Sequence, residues 1–151
     1  MNSTPLLEVR NLTKTFAAGG LIKKRWLYAV DRISFSIPGD PPTITTLAGE
    51  SGSGKSTVSR LILGLMKPSS GEILFEGTPL TQILAEDRHA YFRRVQAIFQ
   101  DPYQVYNPFY MVDRFLETPI RKFRLARSES QTRELIEEAL EAVGLSDERV
   151  L

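Results

Sequence analysis

The stretch Gly49-Glu50-Ser51-Gly52-Ser53-Gly54-Lys55-Ser56-Thr57 limits the fold more than any other part of this chain. It satisfies G-x-x-x-x-G-K-[ST], a pattern that holds phosphate when a strand leads into it and a helix leaves it. Both flanks fit. Thr43 to Ala48 is β-prone and apolar enough for a short buried strand, and Lys55 to Met66 puts Val58, Leu61, Ile62 and Leu65 on one helical face. The glycines reach backbone angles that other residues avoid, and they let N–H groups converge on phosphate oxygens. The helix N-terminus adds its partial positive charge. On this reading Lys55 bridges the β- and γ-phosphates, the Ser56 hydroxyl ligates Mg²⁺, and Thr57 adds a phosphate contact. The bland alternative is a Gly-rich turn that caps a helix. The strand–loop–helix context favours a nucleotide.

Other phosphate-binding schemes lack their parts. No G-x-G-x-x-G follows the strand, which removes the dinucleotide pattern, and N-K-x-D and D-x-x-G are absent, which argues against a guanine-nucleotide switch protein. A strand of four apolar residues ending in Asp would hold the Mg²⁺ water shell. The literal match, Leu27-Tyr28-Ala29-Val30-Asp31, precedes the loop and is followed by Arg32, so it reads as a strand approach.

Composition closes further classes. A length of 151 residues suits one ordinary domain with its own core. With no Cys, thiol chemistry, Cys-ligated zinc and iron–sulfur clusters are excluded, and the single His89 cannot build a multi-His site. Lys and Arg number 19 against 18 Asp and Glu, a net charge of +1 that gives no electrostatic case for nucleic acid. The start Met1-Asn2-Ser3-Thr4-Pro5 is not a secretory signal, and the apolar run Leu61 to Met66 is too short to span a bilayer. Such a chain is expected to be soluble and intracellular.

Along the chain, Leu7 and Val9 alternate with Leu6, Glu8 and Arg10 as a short strand, and Ile33-Ser34-Phe35-Ser36-Ile37 alternates more cleanly. Ala17 to Gly20 and the basic run Lys23-Lys24-Arg25 read as an exposed connection. Pro68-Ser69-Ser70-Gly71 ends the loop helix, Glu72 to Glu76 forms another strand, and Val95, Ala97 and Phe99 suggest one more. A Pro-punctuated aromatic stretch runs from Tyr103 to Phe115, and a helix is expected from about Ser130 to Val143 with Gly144 as its stop. Asp147-Glu148-Arg149 opens a new segment before Val150-Leu151, which reads as an incomplete architecture.

With the phosphate loop in place, its flanks resemble a known family. Leu7-Glu8-Val9-Arg10-Asn11-Leu12-Thr13-Lys14-Thr15-Phe16 looks like the opening of an ABC transporter ATPase, Ala29 to Phe35 like that family's next strand, and Ser70 to Ile73 like the strand after the first helix. Phe99-Gln100-Asp101-Pro102-Tyr103, with Asn107-Pro108, resembles its Q-loop in the oligopeptide/dipeptide importer branch, as does Gly49-Glu50-Ser51-Gly52. The resemblance implies an α/β fold: a P-loop NTPase cassette fragment with an antiparallel β subdomain and the start of a helical subdomain. Residues 1–100 would hold the β subdomain and phosphate-loop core, and 101–151 an incomplete helical subdomain.

The same resemblance implies roles and partners. Phe16 would stack on adenine, with Trp26 or Tyr28 as competitors and a strand-end core aromatic as the plainer reading. Gln100 would contact Mg²⁺ and the attacking water. The aromatics from Tyr103 to Phe115 would lie near a groove for a cytoplasmic helix of the membrane subunit, or form subdomain core. The complete protein would bind ATP and Mg²⁺ and pair with a second ATP-binding subunit. It would sit in the cytoplasm, peripheral on the inner face of the cell membrane through permease subunits. There it would drive peptide uptake, served indirectly by a solute-binding protein. The family's L-S-G-G-Q signature, second carboxylate strand, D-loop and switch His would lie beyond Leu151, and Pro41-Pro42 is an unusual entry to the loop strand. From these departures the 151-residue chain alone is expected to be poorly stable and to hydrolyse no ATP. A truncated, non-catalytic nucleotide-binding or interaction module is the second reading, and a small-molecule kinase is the third.

Overall fold

The computed structural model describes residues 4–19, 25–101 and 112–145. It divides into two units, Met1–Gln96 and Ala97–Leu151. In the first unit, β1 (Leu7–Ala18) pairs antiparallel with β2 (Arg25–Ile37) on one side and with β3 (Ser70–Phe75) on the other. The two-residue β4 (Thr78–Pro79) completes the order β2-β1-β3-β4. Three helices accompany this sheet: α1 (Lys55–Ile62), α2 (Leu80–Glu86) and α3 (Arg88–Arg94). Leu7, Val9, Leu12, Val30, Ile73 and Phe75 of the sheet form one buried cluster with Val58 and Leu61 of α1, Leu80 of α2 and Tyr91 of α3.

The hairpin is longer than the alternation alone suggests. Ala17, Ala18 and Arg25, expected in an exposed connection, lie within strands, while Lys23 and Lys24 fall outside the described residues. Bulges reconcile an irregular sequence with a continuous ladder. Between Val9↔Phe35 and Leu12↔Ile33 strand β1 carries one extra residue, so Val9 and Leu12 both reach the core although they are three apart. Asn11 takes a left-handed φ of 46° there, and its amide donates to Ser34 Oγ at 2.8 Å. Strand β2 carries the next extra residue beside Arg32, whose φ is also 46° and whose amide donates to the buried Thr13 Oγ1 at 3.0 Å. Hydroxyls thus satisfy the amides that the bulges take out of the ladder. Across from the first bulge, a Cβ on Gly71 would meet Asn11 O at 2.3 Å and Arg10 O at 2.6 Å, so only glycine lets β3 pass this point.

Helix α1 stops at Ile62, one turn short of the expected Met66. Gly64 turns left-handed at φ 66°, and the amides of Gly64 and Leu65 return to Leu61 O and Arg60 O, a glycine-closed end. No apolar periodicity in the sequence marks helices α2 and α3. Asp87 accepts from Ala90 N at 3.0 Å to start α3, which directs Tyr91 inward. The Tyr91 ring meets Phe75 edge-on at 5.3 Å, and its hydroxyl donates to Ile62 O at 2.6 Å, satisfying a carbonyl in the last turn of α1.

Two expected strands are corrected. Thr43 to Ala48 forms no strand and is exposed throughout, with Ile44 at 98% of its full exposure. Val95 to Phe99 is likewise irregular, with Ile98 and Phe99 exposed. A strand exists by virtue of its ladder, and among the described residues neither segment has a neighbour to pair with. β-prone composition supplies half of a strand; the other half is a partner.

The second unit holds α4 (Val112–Lys122) and α5 (Glu129–Ala142), with Ile120, Ile136 and Leu140 buried together. Ser128 caps α5 by accepting from Gln131 N at 3.2 Å, and left-handed Gly144 ends it, close to the expected bounds. Of the aromatic stretch, Phe115 lies in α4, whereas Tyr103, Tyr106, Phe109, Tyr110 and Met111 fall outside the described residues, as do Asp147-Glu148-Arg149.

Candidate functional site

Gly49 to Ser53 run as an exposed loop, and half-buried Gly54 leads into α1, which begins at Lys55. Ser53 N donates to Glu50 O at 3.2 Å, closing a tight turn. The first helical bond of α1 is Val58 N to Gly54 O at 2.9 Å, so the amides of Lys55, Ser56 and Thr57 precede any intrahelical acceptor. No side chain caps them: Gly54 is the N-cap, and the first turn contains no acidic residue. This helix start therefore offers converging N–H groups and positive dipole to an anion.

Lys55 closes the loop from within. Its Nζ donates to Gly49 O and Glu50 O, each at 2.7 Å, and to Ser53 Oγ at 3.2 Å. An ammonium has three donors, and all three are used. The charge is thus held over the mouth of the loop by neutral acceptors, which phosphate oxygens would outcompete through charge. The exposed Ser56 hydroxyl stands at the same helix start, and Thr57 is half-buried beside it. These groups suit a polyphosphate with one oxygen donor to its metal. Among the described residues no three His, Cys, Asp or Glu side chains gather as a metal site.

Register decides among the three aromatics considered for a base. Lys14 pairs with Val30, and Val30 Cγ2 lies 3.6 Å from where a Cβ of Gly54 would stand. The face of the hairpin that carries Lys14 therefore meets the phosphate loop. Phe16 shares that face: the Lys14 ammonium sits 5.4 Å from its ring centroid, and the ring is 38% exposed. Trp26 pairs with Ala17 and Tyr28 with Thr15, which puts both on the opposite face. The structure thus brings Phe16 to the loop's side of the sheet and takes its competitors away. Gln100 belongs to the other unit, in an exposed stretch without regular structure. The resemblance over Leu7 to Phe16 includes Lys14 without giving it a role. Its spacing of two from Phe16 on a strand is the signal that would have found it.

Residues 30–151 match the ABC transporter family. A putative oligopeptide transport ATP-binding protein of Bacillus subtilis, YkfD, is 39% identical over 96% of this chain and 43% of its own length. The nickel import ATP-binding protein NikE of Pseudomonas putida is 38% identical over 77% of this chain and 42% of its own. The putrescine export system ATP-binding protein SapF of Escherichia coli is 35% identical over 96% and 52% respectively. The chain spans about half the length of these curated relatives, or less. Among solved structures, the dimeric bacterial ABC transporter cassette MJ0796 superposes with a TM-score of 0.66 at 25% identity, over 95% of this chain and 59% of that one. A post-hydrolysis dimer of the same cassette bound to ADP and Pi superposes at 0.65. With its phosphate loop, antiparallel β subdomain and matched residues, this chain belongs to the ABC transporter family.

Proposed function

We propose that this chain is the nucleotide-holding portion of an ATP-binding subunit whose ATP cycle drives uptake of oligopeptides, dipeptides or a related solute. The observation that carries this reading is the loop from Gly49 to Thr57, with uncapped amides at the start of α1 and the Lys55 ammonium held by the loop carbonyls Gly49 O and Glu50 O. The loop amides and Lys55 bind the phosphates, Ser56 gives an oxygen to Mg²⁺, and Phe16 stacks on the adenine. Gln100 places the attacking water. Mg²⁺ supplies charge neutralisation to the transferring phosphoryl group. MgATP closes a pair of such subunits, homo- or heterodimeric, and hydrolysis reopens it. Among the described residues no helix is long and apolar enough to cross a membrane. Contact with the bilayer runs through permease subunits, on the cytoplasmic side. The relative named for oligopeptide transport supports peptide-like cargo, delivered by a solute-binding protein. No nucleic acid takes part.

Equilibrium binding of MgATP tests the reading. Lys55→Ala should weaken binding at least tenfold, since a charge-assisted hydrogen bond contributes about 1.5–3 kcal/mol. Equal affinity in the variant would reject the site. Because the family's second carboxylate strand is expected beyond Leu151, the isolated chain should bind without turnover. Phosphate release by this chain that disappears in Lys55→Ala would contradict that second statement while leaving the first intact.

A further inference from the structure

The far end of β1 is fastened to the segment that leaves α1. Ladder pairing between β1 and β3 ends at Thr13↔Ser70, yet four more contacts continue the seam toward Phe16. Ser69 N donates to Thr13 O at 2.8 Å, Thr15 N donates to Ser69 Oγ at 3.1 Å, and the hydroxyls of Thr15 and Ser69 lie 3.1 Å apart. The fourth contact is Lys14 Nζ, which donates to Lys67 O at 2.7 Å. The same ammonium stands 5.4 Å from the centroid of the Phe16 ring. One side chain therefore touches both the exit of the helix that begins in the phosphate loop and the aromatic ring assigned to the base.

We infer that Lys14 is a positioning residue for the bound nucleotide: anchored on Lys67 O, its ammonium covers one face of Phe16 and holds the ring with the other face presented to a base. This inference rests on the nucleotide site proposed above and adds a residue to it. The chemistry favours the arrangement in two ways. A cation over a ring face is attracted by the ring's quadrupole and limits its rotation about the side-chain bonds. A ring already held loses less freedom when a base stacks on it, so part of the ordering cost is met before binding. Lys14 does not itself touch the base. Its effect travels through Phe16, and it should be felt by ligands that carry a base and by no others.

The experiment compares MgATP with magnesium tripolyphosphate, which has the phosphates and lacks the base. Binding to the unaltered protein, Lys14→Met, Lys14→Arg, Phe16→Ala, the double variant Lys14→Met with Phe16→Ala, and Lys55→Ala is measured at fixed ionic strength. Lys14→Met keeps the alkyl stem and removes the ammonium. It should raise the Kd for MgATP about two- to fivefold and leave tripolyphosphate unchanged. Lys14→Arg should restore most of the loss, and Lys14→Met added to Phe16→Ala should cost nothing further, the signature of two residues acting as one unit. Equal losses for both ligands would assign Lys14 to phosphate attraction or to folding, and no loss would make the contact idle; either overturns the inference. Additive losses in the double variant also overturn it. If the unaltered protein binds neither ligand, or Lys55→Ala changes neither, the site reading itself has failed. If Lys55→Ala weakens both ligands while Lys14→Met does not distinguish them, only the present inference falls.

Discussion

Gly54 and Ala29 approach so closely that a Cβ on Gly54 would lie 2.2 Å from the Ala29 carbonyl oxygen. Ala29 is the residue skipped between Lys14↔Val30 and Thr15↔Tyr28, so a bulge in β2 turns this part of the strand against the loop. The second fixed glycine of the loop pattern is thereby explained by packing as well as by phosphate: φ is +92°, and the space is filled by backbone. Backbone cannot rotate aside as a side chain can.

This predicts different outcomes for two neighbouring glycines. Gly52 is also left-handed, at +83°, but a Cβ there would meet nothing within 4 Å. Gly52→Ala should cost about 1–2 kcal/mol of stability, the strain of that conformation alone. Gly54→Ala should cost more and should also abolish MgATP binding, because the loop must leave β2. Urea unfolding of both variants checks the order, and equal costs would show that the approach to Ala29 relaxes freely.

Stability should change unequally on the two sides of the loop. Leu61 of α1 is fully enclosed, so Leu61→Ala should cost about 2–5 kcal/mol. Ile44, which precedes the loop, buries almost nothing, so Ile44→Ser should stay within about 0.5 kcal/mol of the original. A large loss at Ile44 in the 151-residue chain would mean that Thr43 to Ala48 finds a partner in solution.

Burial pushes the Tyr91 phenol up to about 12. The unfolded chain releases this proton near 10, so the folded state binds more protons between the two values. Its contribution to stability is complete below pH 10 and is lost as pH rises through 12. Tyr91→Phe should remove that dependence and lower stability at neutral pH by about 1–3 kcal/mol, because Ile62 O loses its donor. Unfolding curves at pH 8 and pH 11 should therefore converge for the variant and differ for the original protein.

Arg94 grips Glu76 through two parallel hydrogen bonds, one of 2.6 Å, and lies 4.7 Å over the Phe75 ring. Those bonds hold the Glu76 carboxyl below its ordinary 4.5. A lowered carboxylate contributes stability above pH 4.5, and the contribution is lost as pH falls through the lowered value. Arg94→Met should therefore reduce Tm at pH 7, with the gap narrowing in acid. A gap that stays constant to pH 3 would assign the whole effect to contact with Phe75.

The phosphate loop was legible because its chemistry is local: glycines, a lysine and a hydroxyl must follow one another in the chain. Helix α5 was legible for a similar reason, with Gly144 to end its repeating apolar face. Helices α2 and α3 were not, since seven residues make two turns and too few apolar positions to show a period. They are defined by single events, the Asp87 cap and the burial of Tyr91. Thr43 to Ala48 and Val95 to Phe99 failed for the opposite reason. Their residues read well as strands, but pairing depends on chain elsewhere, which no local pattern contains. The side of the sheet on which Phe16 stands was hidden for want of the bulges, each of which shifts the alternation by one residue.

The bulges also make the hairpin a ratchet that engages at one tooth. Ser34 can serve the amide of Asn11, and Thr13 the amide of Arg32, in a single alignment of the strands. Sliding by one residue would strand both amides and carry Phe16 to the far side of the sheet. Lengthening or shortening the connection between Ala18 and Arg25 leaves that alignment alone, whereas removing one residue between Leu12 and Phe16 reverses it. The few residues between Leu12 and Phe16 thus act as a fixed ruler from the sheet core to the aromatic ring.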